Sequence, residues 1–191
     1  MTHATIDVLA ALAVVAQGLI VVALVVGVCA AFGVRGPLEA VRDSLWGYEL
    51  WAAFVVAAIA TGGSLFLSDI AGFVPCELCW YQRICMYPLS LLLLLMALAG
   101  DYRAARYLVP FPIIGAGVSV YHVLVEEGVV GQSNACFASA PGGCATKWID
   151  RFGYVTIPVL ALTAFLLLLA LILLAVTDEE GGERSTLAAD A

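Results

Sequence analysis

Long apolar runs separated by short polar segments dominate the chain. Five of these runs approach the length of about 20 residues that a helix needs to cross roughly 30 Å of hydrocarbon. They occupy about residues 8–32, 50–67, 84–99, 107–124 and 154–176. Because a backbone in lipid must satisfy its own hydrogen bonds, each run is predicted to be a helix. The pattern therefore predicts an all-α membrane protein with five transmembrane helices.

The composition agrees with this prediction. The chain is 63% hydrophobic and 12% charged, whereas soluble domains are usually about half apolar and a quarter charged. The first run is much longer than the apolar part of a signal peptide and lacks a basic start, so we expect it to be retained as a helix. The formal net charge of −7 and the lack of a basic cluster argue against nucleic acid as a partner.

The basic residues predict the orientation. Five of them fall in segments that share one side of the membrane, namely Arg35, Arg42, Arg103, Arg106 and Arg184, whereas Lys147 and Arg151 lie on the other side. The positive-inside rule then places the C-terminus in the cytoplasm and both cysteine-bearing loops outside. We therefore expect a multi-pass protein of the cell membrane whose cysteine loops face an oxidising compartment, where disulfides persist.

Three regions follow from this pattern. Residues 1–45 are predicted to form an additional N-terminal transmembrane helix with a cytoplasmic linker, and residues 46–177 a four-helix transmembrane bundle. Residues 178–191 are acidic and rich in Gly and Ser, a composition typical of a disordered tail.

Cys76 and Cys79 form a C-x-x-C sequence at the start of the third apolar run. This spacing suits either a redox disulfide or half of a metal site. A helix N-terminus favours an anion, which is the usual setting for a reactive thiolate. Arg83 shares a helix face with both cysteines. It either stabilises a thiolate and polarises a bound carbonyl, or it reaches the membrane interface or pairs with Glu77 or Asp69. Trp80 and Tyr81 suit the membrane interface.

A second pair, Cys136 and Cys144, lies in the outer loop of residues 128–151, which Pro and Gly residues predict to be flexible and accessible. A structural staple is the alternative to a redox role, and a four-cysteine zinc site is disfavoured because the spacing is too long. His122, near the outer end of its span, is either a functional or a hydrogen-bonded structural residue. Glu126 is expected to be solvated, while Cys29 and Cys85 are expected to be structural.

Three segments together resemble the DsbB family of membrane disulfide-bond-forming proteins, especially its shorter BdbC-like branch. They are PCELCWYQRICMYP at 75–88, GVSVYH at 117–122 and CATKWIDRFGYVTIP at 144–158, and the resemblance extends over about residues 50–176. In this family electrons run from a thioredoxin-fold oxidant to a quinone. The first apolar helix and the short second loop both depart from the family pattern.

The resemblance implies a role for each site residue. Cys136 and Cys144 would form the disulfide that accepts electrons from a DsbA- or BdbD-like extracytoplasmic partner, which would attack Cys136. Cys144 would then attack Cys76 and release Cys79, which would react with ubiquinone or menaquinone beside Arg83. His122 would take part in quinone binding or protonation, and no metal is implied.

Other classes of protein remain open at this point. A vitamin K epoxide reductase type of enzyme would carry its C-x-x-C near the end of a late span, and a reductant conduit would need cysteines in mid-membrane. A disulfide-stapled or metal-binding membrane scaffold is the non-enzymatic alternative.

Overall fold

The computed structural model describes the backbone of residues 2–189 and the side chains of residues 4–177. Within these residues the fold is helical, and extended pairing is limited to an isolated antiparallel bridge between Arg151 and Val155. The α-helices are α1 (Thr2–Ala31), α2 (Gly36–Leu45), α3 (Glu49–Leu65), α4 (Glu77–Ala99), α5 (Pro110–Glu126), α6 (Asn134–Ser139) and α7 (Ile157–Ala189). A π-helical turn, Phe66–Ile70, extends α3, and 3-10 turns cover Ala104–Leu108 and Gly143–Ala145.

Five helical segments in the described part of the chain are long and apolar enough to cross a membrane. They are Ala4–Ala31, Glu49–Ile70, Glu77–Ala99, Ala104–Glu126 and Ile157–Thr177. The predicted all-α membrane fold is therefore confirmed, and the largest difference in boundary is at the third span, which begins at Glu77 rather than residue 84 because polar residues continue that helix into the interface.

Four helices form a closed bundle. α3 packs against α4 and α7, and α5 packs against the same two helices. Leu50, Leu89 and Phe165 are fully buried in the common core. Gly115 of α5 leaves the room that the Phe165 ring fills, since a Cβ at this position would overlap the ring. Burial of these side chains holds the four helices in one arrangement.

α1 lies beside this bundle rather than within it, packing against α7. Its N-terminal end is tied by an ion pair between Asp7 Oδ1 and Arg151 Nε, 3.1 Å apart. Since Arg151 belongs to the loop that follows Cys144, α1 begins at the end of the bundle that carries the cysteine loops. We call this end the cysteine face.

The short connections between α2 and α3 and between α4 and α5 meet at the opposite end. There the Tyr102 hydroxyl donates a hydrogen bond of 2.7 Å to the carbonyl oxygen of Gly47. This end also carries Arg35 and Arg106, so the bundle separates the basic connections from the cysteine face, as the charge pattern predicts.

α7 continues beyond its membrane-length part to Ala189. The side chains after Thr177 lie outside the described residues, as do residues 190 and 191 altogether. The disordered tail of residues 178–191 therefore stays a prediction.

Candidate active site

Cys76 caps the N-terminus of α4. Its backbone is extended, with φ −74° and ψ 173°, and its sulfur accepts a hydrogen bond of 3.4 Å from the backbone N–H of Cys79. The two sulfurs lie 3.0 Å apart as free thiols, within hydrogen-bond distance of each other. The predicted position of the pair at the first turn of a helix is confirmed. An anion on Cys76 lies where the unpaired N–H groups of the helix favour negative charge.

Cys76 precedes the membrane-length part of α4 and is 4% exposed. The hydrogen bond from the Cys79 thiol lowers the pKa of Cys76 to about 4, against the opposing effect of burial, and a hydrogen bond and electrostatic attraction from His122 lower it further. These contacts favour the thiolate form of Cys76, the sulfur nearer the loop.

His122 of α5 connects the two cysteine pairs. Its Nε2 atom lies 3.1 Å from the carbonyl oxygen of Cys144 and 3.6 Å from the Cys76 sulfur. The ring is 3% exposed, and its Nδ1 atom has no hydrogen-bond partner among the described residues. A buried ring nitrogen without a partner is costly, so this position of the ring is maintained by the contacts of Nε2 and by packing.

Cys136 and Cys144 are joined by a disulfide. Both residues are only 2% exposed, and they pack with Cys76 in one buried cluster. The predicted accessible loop is therefore wrong for its cysteines. The reason is tertiary: α6 docks on the start of α4 and covers the disulfide.

Polar contacts hold this docked loop in place. The Glu77 backbone N–H donates a hydrogen bond of 3.0 Å to the Ser139 hydroxyl, and the Ser133 hydroxyl donates one of 3.3 Å to the Glu77 carboxylate. Ser133 also caps α6 by accepting from the N–H of Cys136, at 3.1 Å. Glu77 thus fixes the loop to the first turn of α4, which brings the two cysteine pairs together.

Arg83 does not pair with Glu77 or Asp69. Its Nε atom donates 3.1 Å to the Ser64 hydroxyl, and its guanidinium donates 3.0 Å to the Ser64 carbonyl oxygen. The guanidinium carbon also lies 5.4 Å from the centre of the Trp80 ring. Two hydrogen bonds to α3 and a cation–π contact offset much of the cost of a cation at this depth.

A cavity of about 320 Å³ opens beside the cysteines. Six residues with a sulfur or a polar side chain line it near the cysteine face, namely Cys76, Cys79, Gln82, Arg83, His122 and Cys144. Most of the remaining wall is apolar and comes from α1, α3 and α7, with Ser64, Tyr87 and Thr163 as polar side chains further along it. Sites of this size, apolar with a few convergent polar groups, typically hold small-molecule ligands.

Several residues of the site were missed from the sequence. Gln82 is 6% exposed and donates 3.1 Å to the Ser119 hydroxyl. Glu126 is 9% exposed and accepts 2.6 Å from the Thr156 hydroxyl, so its expected solvation is wrong. A polar residue in an apolar run was the available signal for Gln82, but only packing identifies Ser64 as the partner of Arg83.

The same cluster has ligands for a metal. One ligand atom each from Cys76, Cys79 and His122 lies within 4.8 Å of the others. Two thiolates and an imidazole are donors that zinc accepts. This three-residue group differs from the four-cysteine site weighed from the sequence.

Comparisons with known proteins agree with the geometry. The sequence profile described as "Disulfide bond formation protein DsbB" matches residues 48–175. Disulfide bond formation protein C of Bacillus subtilis is 49% identical over 122 residues, which cover 63% of this chain and 86% of the relative. A probable disulfide formation protein of Deinococcus radiodurans is 41% identical over 133 residues, covering 65% and 86%. No solved structure is significantly similar.

The matched region contains both cysteine pairs, Arg83, His122 and all four helices of the bundle, whereas α1 lies outside it. The chain is thus a multi-pass membrane protein of the oxidoreductase class that acts in disulfide formation, and it belongs to the DsbB family.

Proposed function

We propose that the protein reoxidises an extracytoplasmic thioredoxin-like oxidant and passes the electrons to a membrane quinone. The cysteine face would lie outside and the C-terminus in the cytoplasm. The observation that carries the proposal is the contact of His122 with both cysteine pairs, at 3.1 Å from Cys144 and 3.6 Å from Cys76. Electrons would run from the partner through Cys136 and Cys144 to Cys76 and Cys79.

The first exchange takes place at the loop. A thiolate of the partner attacks Cys136, the Cys136–Cys144 bond breaks, and Cys144 leaves as a thiolate. Because Cys136 is 2% exposed, the partner must first displace α6 from Glu77. The polar contacts of Ser133 and Ser139 with Glu77 suit such a step, since water or the partner can replace them.

The second exchange passes the electrons inward. The Cys144 thiolate attacks Cys76 in the oxidised pair, the Cys76–Cys79 bond breaks, and Cys79 takes the electron pair. The partner's second thiol then resolves its bond to Cys136, and Cys136 displaces Cys76 from Cys144. The loop disulfide is restored and the helix pair is left reduced.

The cavity residues fit a quinone as the final acceptor. A quinone accepts two electrons and two protons, which matches one dithiol, and the helix pair returns to a disulfide. Arg83 and Gln82 line the cavity and offer N–H donors to a carbonyl oxygen, and His122 lies beside the Cys76 sulfur at 3.6 Å. The thiols and the cavity lie side by side, so no long-range transfer is needed.

The proposal is tested with purified protein in detergent, a reduced thioredoxin-like oxidant and a short-chain quinone. Loss of quinone absorbance, in step with oxidation of the partner, is the expected result. Cys79→Ser should abolish quinone reduction, because the helix pair can no longer form a disulfide.

Cys85→Ala is the matched control for this variant. Cys85 is a free, buried cysteine on the same helix but does not line the cavity, so the variant should keep its activity. Wild-type turnover in Cys79→Ser would contradict the mechanism.

A metal-binding scaffold is the second candidate, favoured by the grouping of Cys76, Cys79 and His122 within 4.8 Å. Such a protein would retain zinc through purification and would not reduce quinone. Metal analysis of the purified protein, together with the quinone assay, separates the two candidates.

A further inference from the structure

We propose that α1, the helix outside the family match, forms one wall of the cavity and selects quinones by their hydrocarbon chain. This inference rests on the proposed function and deepens it. Six residues of α1 line the cavity, namely Leu9, Leu12, Ala13, Val15, Ala16 and Leu19. They lie on the same cavity as Cys79 and Arg83, although the family profile begins only at residue 48.

α1 is fixed across the cavity from both sides. Leu9 packs against Gly63 of α3, where an added Cβ would lie 3.1 Å from the leucine side chain. On the α7 side, Gln17 donates 3.2 Å to the Thr163 hydroxyl and accepts 2.9 Å from the Tyr154 hydroxyl. Both ends of the Gln17 amide are thereby satisfied, which matters in lipid, where an unpaired amide is costly. α1 therefore lies along the seam between α3 and α7 and contacts both helices.

The depth of the cavity indicates what lies against α1. From Leu9 to Leu19 the helix rises about 15 Å, at about 1.5 Å per residue. The sulfurs, His122 and Arg83 lie towards the cysteine face and Tyr87 and Thr163 lie further along the cavity, while the α1 wall is apolar over its whole length. A ligand that matches both parts has a redox-active ring at one end and a hydrocarbon chain at the other.

Side-chain size along α1 leaves the space for that chain. Ala13 is small and 7% exposed, so it faces the interior. Leu12 and Val15 are 45% and 62% exposed while still lining the cavity, which places them at its mouth, towards the lipid. A chain that leaves the ring would pass Ala13 and reach the bilayer between these two side chains.

The test compares decylubiquinone with the same ring without a chain. In Ala13→Phe the added ring fills the cavity wall, and we expect the ratio of kcat/KM for the chain-bearing over the chainless quinone to fall about tenfold, equivalent to about 1.4 kcal/mol. Ala16→Phe should lower the same ratio. This second variant keeps the test valid if Ala13→Phe does not fold. Val14→Phe is the matched control, because Val14 is 40% exposed on α1 but does not line the cavity.

An unchanged ratio in both alanine variants, or an equal fall in Val14→Phe, would overturn the selection by α1 while leaving quinone reduction itself intact. Failure of the wild-type protein to reduce either quinone would overturn the proposed function and this inference with it.

Discussion

Replacing His122 by Phe tests how much His122 stabilises the thiolate form of Cys76. The substitution removes the group that lies 3.6 Å from the Cys76 sulfur and 3.1 Å from the Cys144 carbonyl oxygen. It keeps an aromatic ring of similar shape, so the packing of α5 changes little. The expected consequence is a higher pKa for Cys76, because its thiolate loses a hydrogen bond and an electrostatic attraction.

The structure sets the size of this effect. A hydrogen bond to a charged group contributes about 1.5–3 kcal/mol, and one pKa unit corresponds to about 1.36 kcal/mol. Since the contact is long and shared with a carbonyl oxygen, the lower end applies, and the pKa of Cys76 should rise by about one unit. The larger contribution of the Cys79 thiol remains, so the pKa should stay below the ordinary value of 9.0.

The assay is the pH dependence of alkylation. The helix pair is reduced, pulsed with iodoacetamide at each pH, and modification of Cys76 is measured by peptide mass spectrometry. His122→Asn keeps an N–H donor and should recover part of the effect. Tyr121→Phe is the matched control, because Tyr121 is 41% exposed on the neighbouring face of α5.

The same pKa predicts how the stability of the reduced protein depends on pH. The folded-state pKa, about 4, lies below the ordinary value of 9.0. The stabilisation by Cys76 is therefore fully present above pH 9 and is lost as the pH falls towards 4. A midpoint of alkylation above about 8 in the wild-type protein, or an identical midpoint in His122→Phe, would refute the reasoning.

Three further predictions concern the surroundings of the site. Arg83→Ala should mainly raise the apparent quinone KM in steady-state assays, and Ser64→Ala should raise it less, because the Ser64 carbonyl oxygen still accepts from the guanidinium. Gly115→Ala should lower the thermal midpoint, since overpacking a core costs about 1–3 kcal/mol, whereas Gly117→Ala, with nothing within 4 Å of the added Cβ, should not. Ser139→Ala should speed reduction of the loop disulfide by a soluble dithiol, because the loop loses its contact with the start of α4.

Each of these predictions has a clear contrary result. An unchanged quinone KM in Arg83→Ala would show that Arg83 has only a structural role. Equal thermal midpoints for the two glycine variants would show that α5 and α7 can separate at no cost. An unchanged reduction rate in Ser139→Ala would mean that the loop opens independently of its contact with α4.

Much of the fold can be predicted from the sequence because the lipid bilayer restricts which segments can cross it. A segment that crosses the membrane must be apolar and helical, so each of the five spans is visible as a run of apolar residues. The position of Cys76 at the start of α4 is visible for a similar reason, since Pro75 and the apolar run that follows mark a helix N-terminus. Both inferences use only the residues of one short segment and do not depend on which other helices pack against it.

The burial of the second cysteine loop cannot be predicted from the residues of that loop alone. Pro141 and the adjacent glycines predict flexibility, yet Cys136 and Cys144 are buried. Burial here depends on the contacts of Ser133 and Ser139 with Glu77, more than 50 residues away along the chain. The sequence contains the polar groups but does not indicate which of them meet.

The sequence by itself determined the class of protein, the number of spans and the position of the C-x-x-C pair at a helix start, because hydrophobic length and cysteine spacing are properties of short segments. Only the tertiary structure decided that His122 touches both cysteine pairs, that Arg83 is held by Ser64, and that α1 lines the cavity. Each of these is a contact between different elements of the fold, and it depends on which faces pack together.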